Sequence, residues 1–232
     1  MDAPSADPAQ LRRALRFIRR INTLLRYNAA VLGALGELIK APAEVRAAGA
    51  RSRRPRALSV LDVATGSADL PVAVERWGRG RGVALTAVGL DLHPTTLAFA
   101  RQWAPRVPLV RGDALRLPFA DGSFDFATCA LFLHHLETGM AVQVIQEMER
   151  VTRRGWIVAD LLRRRRSLAW ITLLTVGAGP MVRHDSRTSV RQAWSPAEAR
   201  DLAERAGVVA AYRECFGHRF LMVRQKPLPL QA

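Results

Sequence analysis

Apolar positions follow two regimes along this chain. Over residues 11–40, Leu11, Leu15, Ile18, Leu25, Leu32 and Leu35 recur at roughly helical spacing and predict one or two amphipathic helices. From residue 57 onward, short apolar runs alternate with helix-like stretches. Strands are predicted at 57–63, 83–90, 107–110, 124–131, 156–159, 208–214 and 218–223. Helices are predicted at 68–77, 94–103, 140–151 and 195–205. The last helix is the best signalled, with Ser195 as N-cap, Pro196 at its first position, Glu198 three residues after the cap and Gly207 as the stop. Strands alternating with helices predict an α/β fold, a mostly parallel, doubly wound sheet covered on both faces. The last two strands leave no room for a crossover helix, so an antiparallel C-terminal hairpin is expected, for seven strands in all. Residues 41–56 carry two prolines and the cluster Arg51, Arg53, Arg54 and Arg56, and read as a linker. The expected division is a helical extension with its linker over 1–56 and the main domain over 57–232.

Composition narrows this picture. A chain of 232 residues that is 49% hydrophobic can build one full core but not two ordinary domains. Cys129 and Cys215 each sit in an apolar run and exclude a disulfide scaffold; with no CxxC and no Cys/His cluster, no metal is expected. Residues 1–10 are polar and acidic, unlike a secretory signal. The longest apolar run, 167–182, is interrupted by Gly177, Gly179 and Pro180 and is too short to span a bilayer, so a cytoplasmic protein is expected. The formal net charge is +15, and all of the basic residues except Lys40 and Lys226 are arginine. So uniform a choice, beside abundant alanine, points to coding bias, which weakens the charge as functional evidence. It still favours anionic partners: nucleic acid, acidic lipid, an acidic carrier protein or a phosphorylated substrate.

Candidate chemistry gathers at strand ends. The turn after the first strand reads Asp62-Val63-Ala64-Thr65-Gly66-Ser67-Ala68-Asp69, the second strand ends Gly89-Leu90-Asp91, and the third ends Arg111-Gly112-Asp113-Ala114. All three acids fall at the carboxyl edge of one sheet, where ligands bind in open α/β folds. Small residues in a turn let backbone N–H groups approach a ligand. A carboxylate after the second strand can accept both hydroxyls of a ribose, and one after the third can accept from an adenine amine. Together they describe a pocket for an adenosine. Each acid also has a plain structural alternative: Asp62 and Asp113 as turn acids, and Asp91, before His93-Pro94, as a helix cap.

With Leu117-Pro118-Phe119, Ser123-Phe124-Asp125 and His134-His135-Leu136 following in order, residues 57–224 resemble the class I S-adenosylmethionine-dependent methyltransferases. The resemblance is to the group that includes quinone-biosynthesis enzymes. The stretch 147–161, Arg183-His184-Asp185 and the stretch 190–194 resemble small secondary-metabolite methyltransferases, including those found with polyketide enzymes. The resemblance implies a Rossmann-like sheet, S-adenosyl-L-methionine as cofactor, and a cofactor-binding set of Asp62, Ala64, Thr65, Gly66, Asp69, Asp91, Leu92, Gly112, Asp113 and Ala114. It implies catalysis by His135, His134 or His184, with Asp185 orienting His184. It also implies a substrate cover formed by the N-terminal helix and residues 161–194, with Tyr27, Asn28, Trp170 and His184 touching the substrate. The family's loop usually carries three glycines; Ala64 and Ala68 replace two. Either the loop keeps ordinary dihedrals at those sites or cofactor affinity is reduced.

The reaction expected is methyl transfer to an oxygen, or alternatively a ring carbon, of a small aromatic or polyketide-like metabolite. An RNA methyltransferase is a second reading, disfavoured because no RNA-binding module is appended. A third is a cofactor-binding protein that no longer transfers methyl and has a cyclase, rearrangement or regulatory role. The cluster Arg163, Arg164, Arg165 and Arg166, followed by an apolar run, reads as a helix start beside a greasy pocket, or as a peripheral membrane contact.

Overall fold

The computed structural model describes residues 27–40, 57–216 and 218–227, together with Arg16, Arg19 and Arg20. The predicted linker and most of residues 11–26 lie outside them. Helix α1 (Tyr27–Lys40) precedes an alternating series: β1 (Leu58–Val63), α2 (Asp69–Arg79), β2 (Leu85–Asp91), α3 (Pro94–Trp103), β3 (Leu109–Arg111) and β4 (Phe124–Ala130). A short 3₁₀ turn, Leu133–His135, leads to α4 (Thr138–Val151) and β5 (Thr152–Leu161). Then come α5 (Arg165–Leu174), α6 (Pro180–Gln192), α7 (Pro196–Arg205), β6 (Ala211–Cys215) and β7 (Arg219–Gln225).

The seven strands form one sheet in the order β3-β2-β1-β4-β5-β7-β6. The first five are parallel, and β7 runs antiparallel between β5 and β6. This is the expected doubly wound sheet with its terminal hairpin. The order reverses between β1 and β4, and such a switch point opens a crevice at the carboxyl edge.

Two cores sandwich the sheet. On one face α4 supplies Ala141, Val144, Ile145, Met148 and Val151, which pack with Ala199 and Leu202 of α7 over Trp156 and Phe220. On the other, Tyr27, Val31, Leu35 and Leu38 of α1 pack with Leu70 and Val74 of α2 over Val60, Phe126 and Ile157. Helix α1 therefore shares the core of the sheet. The Tyr27 hydroxyl donates to the Ala159 carbonyl, which ties α1 to β5.

Two elements differ from expectation. Strand β5 starts at Thr152, four residues before the predicted strand, although Thr152-Arg153-Arg154-Gly155 reads as polar. Pairing on both edges, Gly155 with Phe126 and with Gln225, recruits these residues. Gly155 has φ +150°, and a Cβ there would lie 2.1 Å from the Arg224 carbonyl oxygen. The second difference is α6, a helix that was not predicted, in the segment read as part of the substrate cover. Its sequence is largely polar and, among its described side chains, Val190 alone is buried, so it carries little apolar periodicity. Helix α7 has the full capping box, Ser195 Oγ accepting from the Glu198 N–H and Glu198 Oε2 from the Ser195 N–H.

Candidate functional site

The segments leaving β1, β2, β3 and β4 line a cavity of about 520 Å³, a size typical of small-molecule sites. Tyr27 and Asn28 of α1, Ile171 of α5, and Val182, Ser186 and Ser189 of α6 complete its walls.

The loop after β1 is a left-handed staircase. Ala64, Gly66 and Ala68 have φ of 56°, 57° and 57°. The structure thus decides against ordinary dihedrals: both alanines adopt the conformation that glycine takes without penalty. Three neighbours hold this path. The Thr65 N–H donates to the Leu90 carbonyl (2.8 Å). Thr65 Oγ1 donates to Asp62 Oδ2 (2.7 Å), and the Gly66 N–H donates to Asp91 Oδ2 (3.0 Å).

Asp62 is 3% exposed and also accepts from Thr128 Oγ1 (2.7 Å). Burial pushes its pKa up to about 7, with the charges of Asp69 and Asp91 adding and the two threonine bonds opposing. Asp91 accepts from the His93 N–H with its other oxygen (3.0 Å). It braces two loops at the cavity wall. Asp113 accepts from the Leu115 N–H (2.9 Å) in a tight turn and remains exposed at the cavity wall.

A second polar centre lies across the cavity. The His134 ring and Asp160 form a buried pair, Nδ1 to Oδ1 at 2.6 Å, with exposures of 4% and 0%. Asp160 also accepts from the backbone N–H groups of His134 (3.1 Å) and Leu161 (2.7 Å). A carboxylate at Nδ1 holds the proton on that nitrogen and leaves Nε2 as the acceptor in the neutral ring. The His135 ring lies against that of His134, tilted by 37° with centroids 4.1 Å apart, and is exposed where it meets the cavity. Beside them lies Arg219, 4% exposed, its guanidinium 4.4 Å from the centre of the Tyr27 ring. Burial pushes the Tyr27 hydroxyl well above its ordinary range, so it stays protonated as a donor.

All ten residues of the expected cofactor set line this one cavity: Asp62, Ala64, Thr65, Gly66, Asp69, Asp91, Leu92, Gly112, Asp113 and Ala114. Tyr27, Asn28, His134 and His135 line it too. His184 and Trp170 do not; both are exposed on the outer faces of their helices. Successive helical residues are turned about 100° apart, so the inward positions fall to Asp185 on α6 and Ile171 on α5. An acid–histidine pair is found at Asp160 and His134. Sequence reasoning passed over Asp160 and Arg219. Asp160 ends an apolar strand, as Asp62 and Asp91 do, and that signal was readable. Arg219 could not be told from the many other arginines. Arg163 and Arg164 of the basic cluster are ion-paired with Glu198 and Glu214, each at 2.6 Å.

An α/β domain with a nucleoside-sized cavity at its switch point, acids after three successive strands and a glycine-bearing loop after the first defines a Rossmann-like nucleoside-cofactor domain. Residues 61–159 match the family described as a methyltransferase domain. A demethylmenaquinone methyltransferase of Deinococcus radiodurans is 42% identical over 89 residues, 37% of this chain and 35% of that protein. An uncharacterised methyltransferase of Synechocystis is 33% identical over 113 residues, 48% of this chain and 50% of that protein. The match thus spans half or less of the length of these curated relatives. The solved structure of a SAM-dependent methyltransferase from Aquifex aeolicus shares the fold at TM-score 0.57 and 16% identity, over 95% of this chain and 99% of that one. Residues 61–159 thus resemble a methyltransferase domain on a fold shared with a SAM-dependent methyltransferase, and the cofactor which that domain implies is S-adenosylmethionine.

The cavity fits that cofactor. Four acids, Asp62, Asp69, Asp91 and Asp113, suit a ligand that carries a sulfonium and an ammonium group. Asp91, Asp113 and the loop at Gly66, expected from the sequence to meet the ribose, the adenine and the methionine part, all line this cavity. Among the described residues no cluster could hold a metal ion, and no helix is long and apolar enough to cross a membrane.

Proposed function

We propose that this protein transfers the methyl group of S-adenosylmethionine to an oxygen of a small aromatic or otherwise apolar metabolite. The observation that carries this is one cavity that is acidic at the β1–β3 end and walled at the other by Leu131, Phe132, Met140, Leu161, Ile171 and Val182 beside the His134–Asp160 pair. The cofactor supplies a methyl group on a positive sulfur, open to in-line displacement. The protein orients the acceptor, excludes water and removes a proton. His134, its proton held at Nδ1 by Asp160, takes the acceptor proton at Nε2; His135 stands at the mouth of the cavity. Transfer to an electron-rich ring carbon is the second reading, supported by relatives whose names specify demethylmenaquinone. Arg165 and Arg166, exposed beside Trp170 and Leu173 on α5, make a membrane surface a further candidate partner.

The test is a radiolabelled-methyl screen of phenols and hydroquinones, with S-adenosylhomocysteine binding measured in parallel. His134→Gln should retain that binding and lose turnover at neutral pH, while His135→Ala retains most of both. Full activity of His134→Gln across the pH profile removes the base assignment. No binding of S-adenosylhomocysteine at millimolar concentration removes the methyltransferase reading itself.

A further inference from the structure

We propose that the outer face of α5, with the arginines of α6 beside it, docks on an anionic lipid bilayer and so brings the cover of the cavity to the membrane surface. The docking names a partner of the site described above, and it rests on the methyltransferase reading only for its use in delivering an apolar acceptor.

Helix α5 is apolar on two faces, whereas a helix that only covers a core is apolar on one. On the inner face Ile171 lines the cavity, and Ser167 and Thr175 are buried. On the outer face Ala169, Trp170, Leu173 and, in the turn that follows, Val176 are exposed, Leu173 and Val176 at 66% each. Spacings of three and four residues put them on one stripe. Arg165 and Arg166 head the stripe, one turn before Ala169 and Trp170. Both are exposed and, among the described residues, form no ion pair, unlike Arg163 and Arg164. Phe216, 74% exposed, stands at the tip of the β6–β7 hairpin. That hairpin adjoins the start of α5 through the Arg164–Glu214 pair and the bond from the Leu162 N–H to the His218 carbonyl (2.9 Å). Single exposed apolar side chains are ordinary, but a stripe of them rimmed by arginine marks an interaction surface.

Charge selects the occupant of this surface. Helix α6 packs against α5. Its residues Val182, Asp185 and Ser189 line the cavity, while Arg183, Arg187 and Arg191, four residues apart, share another face. Asp185 is the one acid between residues 162 and 192, so the side of these helices turned from the cavity is cationic. A second copy of this face, or the arginine-rich stretch 41–56 of the chain itself, would set like charges together. An anionic bilayer takes both halves of the pattern. Headgroup phosphates pair with the arginines, and Trp170, Leu173 and Val176 enter the boundary between headgroups and acyl chains. Tryptophan is enriched at that boundary. The same two helices wall the acceptor end of the cavity, so docking sets that end one helix diameter, about 10 Å, from the lipid.

The probes are vesicles of phosphatidylcholine, alone or with about 30% phosphatidylglycerol, floated with the full chain at about 0.1 M salt. The anionic vesicles should carry the chain, and the neutral ones should bind it at least about tenfold more weakly. Arg165→Gln/Arg166→Gln and Trp170→Ser/Leu173→Ser should each lower affinity for the anionic vesicles by about tenfold or more, because each removes one half of the pattern. Arg101→Gln/Arg106→Gln, the same loss of charge at exposed positions on α3 and just after it, should stay within about twofold. With brominated lipid in the vesicles, wild-type tryptophan fluorescence should be quenched and that of Trp170→Phe much less so, a readout that serves even where a serine or glutamine variant fails to fold. Absent binding to anionic vesicles, equal binding to both kinds, or quenching unchanged in Trp170→Phe each overturn the proposal. So does wild-type binding by Trp170→Ser/Leu173→Ser, or a control that weakens as much as Arg165→Gln/Arg166→Gln; either means diffuse attraction by the net charge of +15. Binding of polyuridylate through Arg165 and Arg166 without vesicle binding would assign the face to nucleic acid and equally overturn it. Docking is read without turnover, so failure of S-adenosylhomocysteine to bind the wild type would sink the methyltransferase reading and leave the docking standing.

Discussion

The two alanines of the cofactor loop offer a measurable contrast. An L-residue in the left-handed region costs about 1–2 kcal/mol. Both Ala64 and Ala68 carry that strain, with φ of 56° and 57°. Glycine removes it but loses about 0.5–1 kcal/mol through the extra freedom of its unfolded chain. For Ala64, half-buried at the cavity wall, the balance favours Ala64→Gly by about 0.5–1 kcal/mol, or a Tm rise of about 1–4 °C at this chain length. Ala68 differs because its methyl is fully buried against Ala100, Ala104 and Val107. Deleting it forfeits about 0.8 kcal/mol of burial, so Ala68→Gly should leave Tm near the wild-type value. The assay is thermal unfolding by circular dichroism, without ligand and at one pH. A Tm for Ala64→Gly at or below wild type, or the same shift in both variants, would refute the strain argument.

Three further outcomes follow from the same geometry. The folded chain keeps a proton on Asp62 between about pH 4 and pH 7, where the unfolded chain has released it. Its contribution therefore lowers stability as pH rises through that window, and Asp62→Asn should flatten the pH dependence of Tm; an unchanged slope would reject the buried-proton assignment. Asp160→Ala removes the acceptor of three buried donors, which should cost about 2–4 kcal/mol and lower Tm by about 4–16 °C; a drop under about 2 °C would show that the pair is not structural. Gly155→Ala drives a Cβ to 2.1 Å from the Arg224 oxygen, so β7 must move and the urea midpoint should fall by an equivalent of about 3 kcal/mol or more; a midpoint equal to wild type would overturn that pairing.

Most of the framework was legible from the chain alone. Helix α3 appeared at its predicted bounds because Pro94 starts it and apolar positions recur on one face. Helix α7 followed from its capping box. The acids Asp62, Asp91 and Asp113 could be placed at one sheet edge because each ends an apolar strand, and parallel strands put their carboxyl ends together. What failed was facing. His184 and Trp170 were assigned inward from their neighbourhood in sequence, yet a turn of about 100° per residue carried them outward.

The sequence by itself determined the alternation of strands and helices, the terminal hairpin and the gathering of Asp62, Asp91 and Asp113 at one sheet edge, because these depend on periodicity, caps and strand ends, all local. Tertiary structure alone decided three things. It placed the acid–histidine pair at His134 and Asp160, from segments 26 residues apart. It joined Arg219 of the last strand to Tyr27 of the first described helix at a single cavity. And it forced Ala64 and Ala68 into left-handed backbone, because the hydrogen bonds of Thr65 and Gly66 to neighbouring strand ends set the loop's path regardless of which residues fill it. Each depends on distances between segments remote in the chain, which periodicity and propensity do not encode.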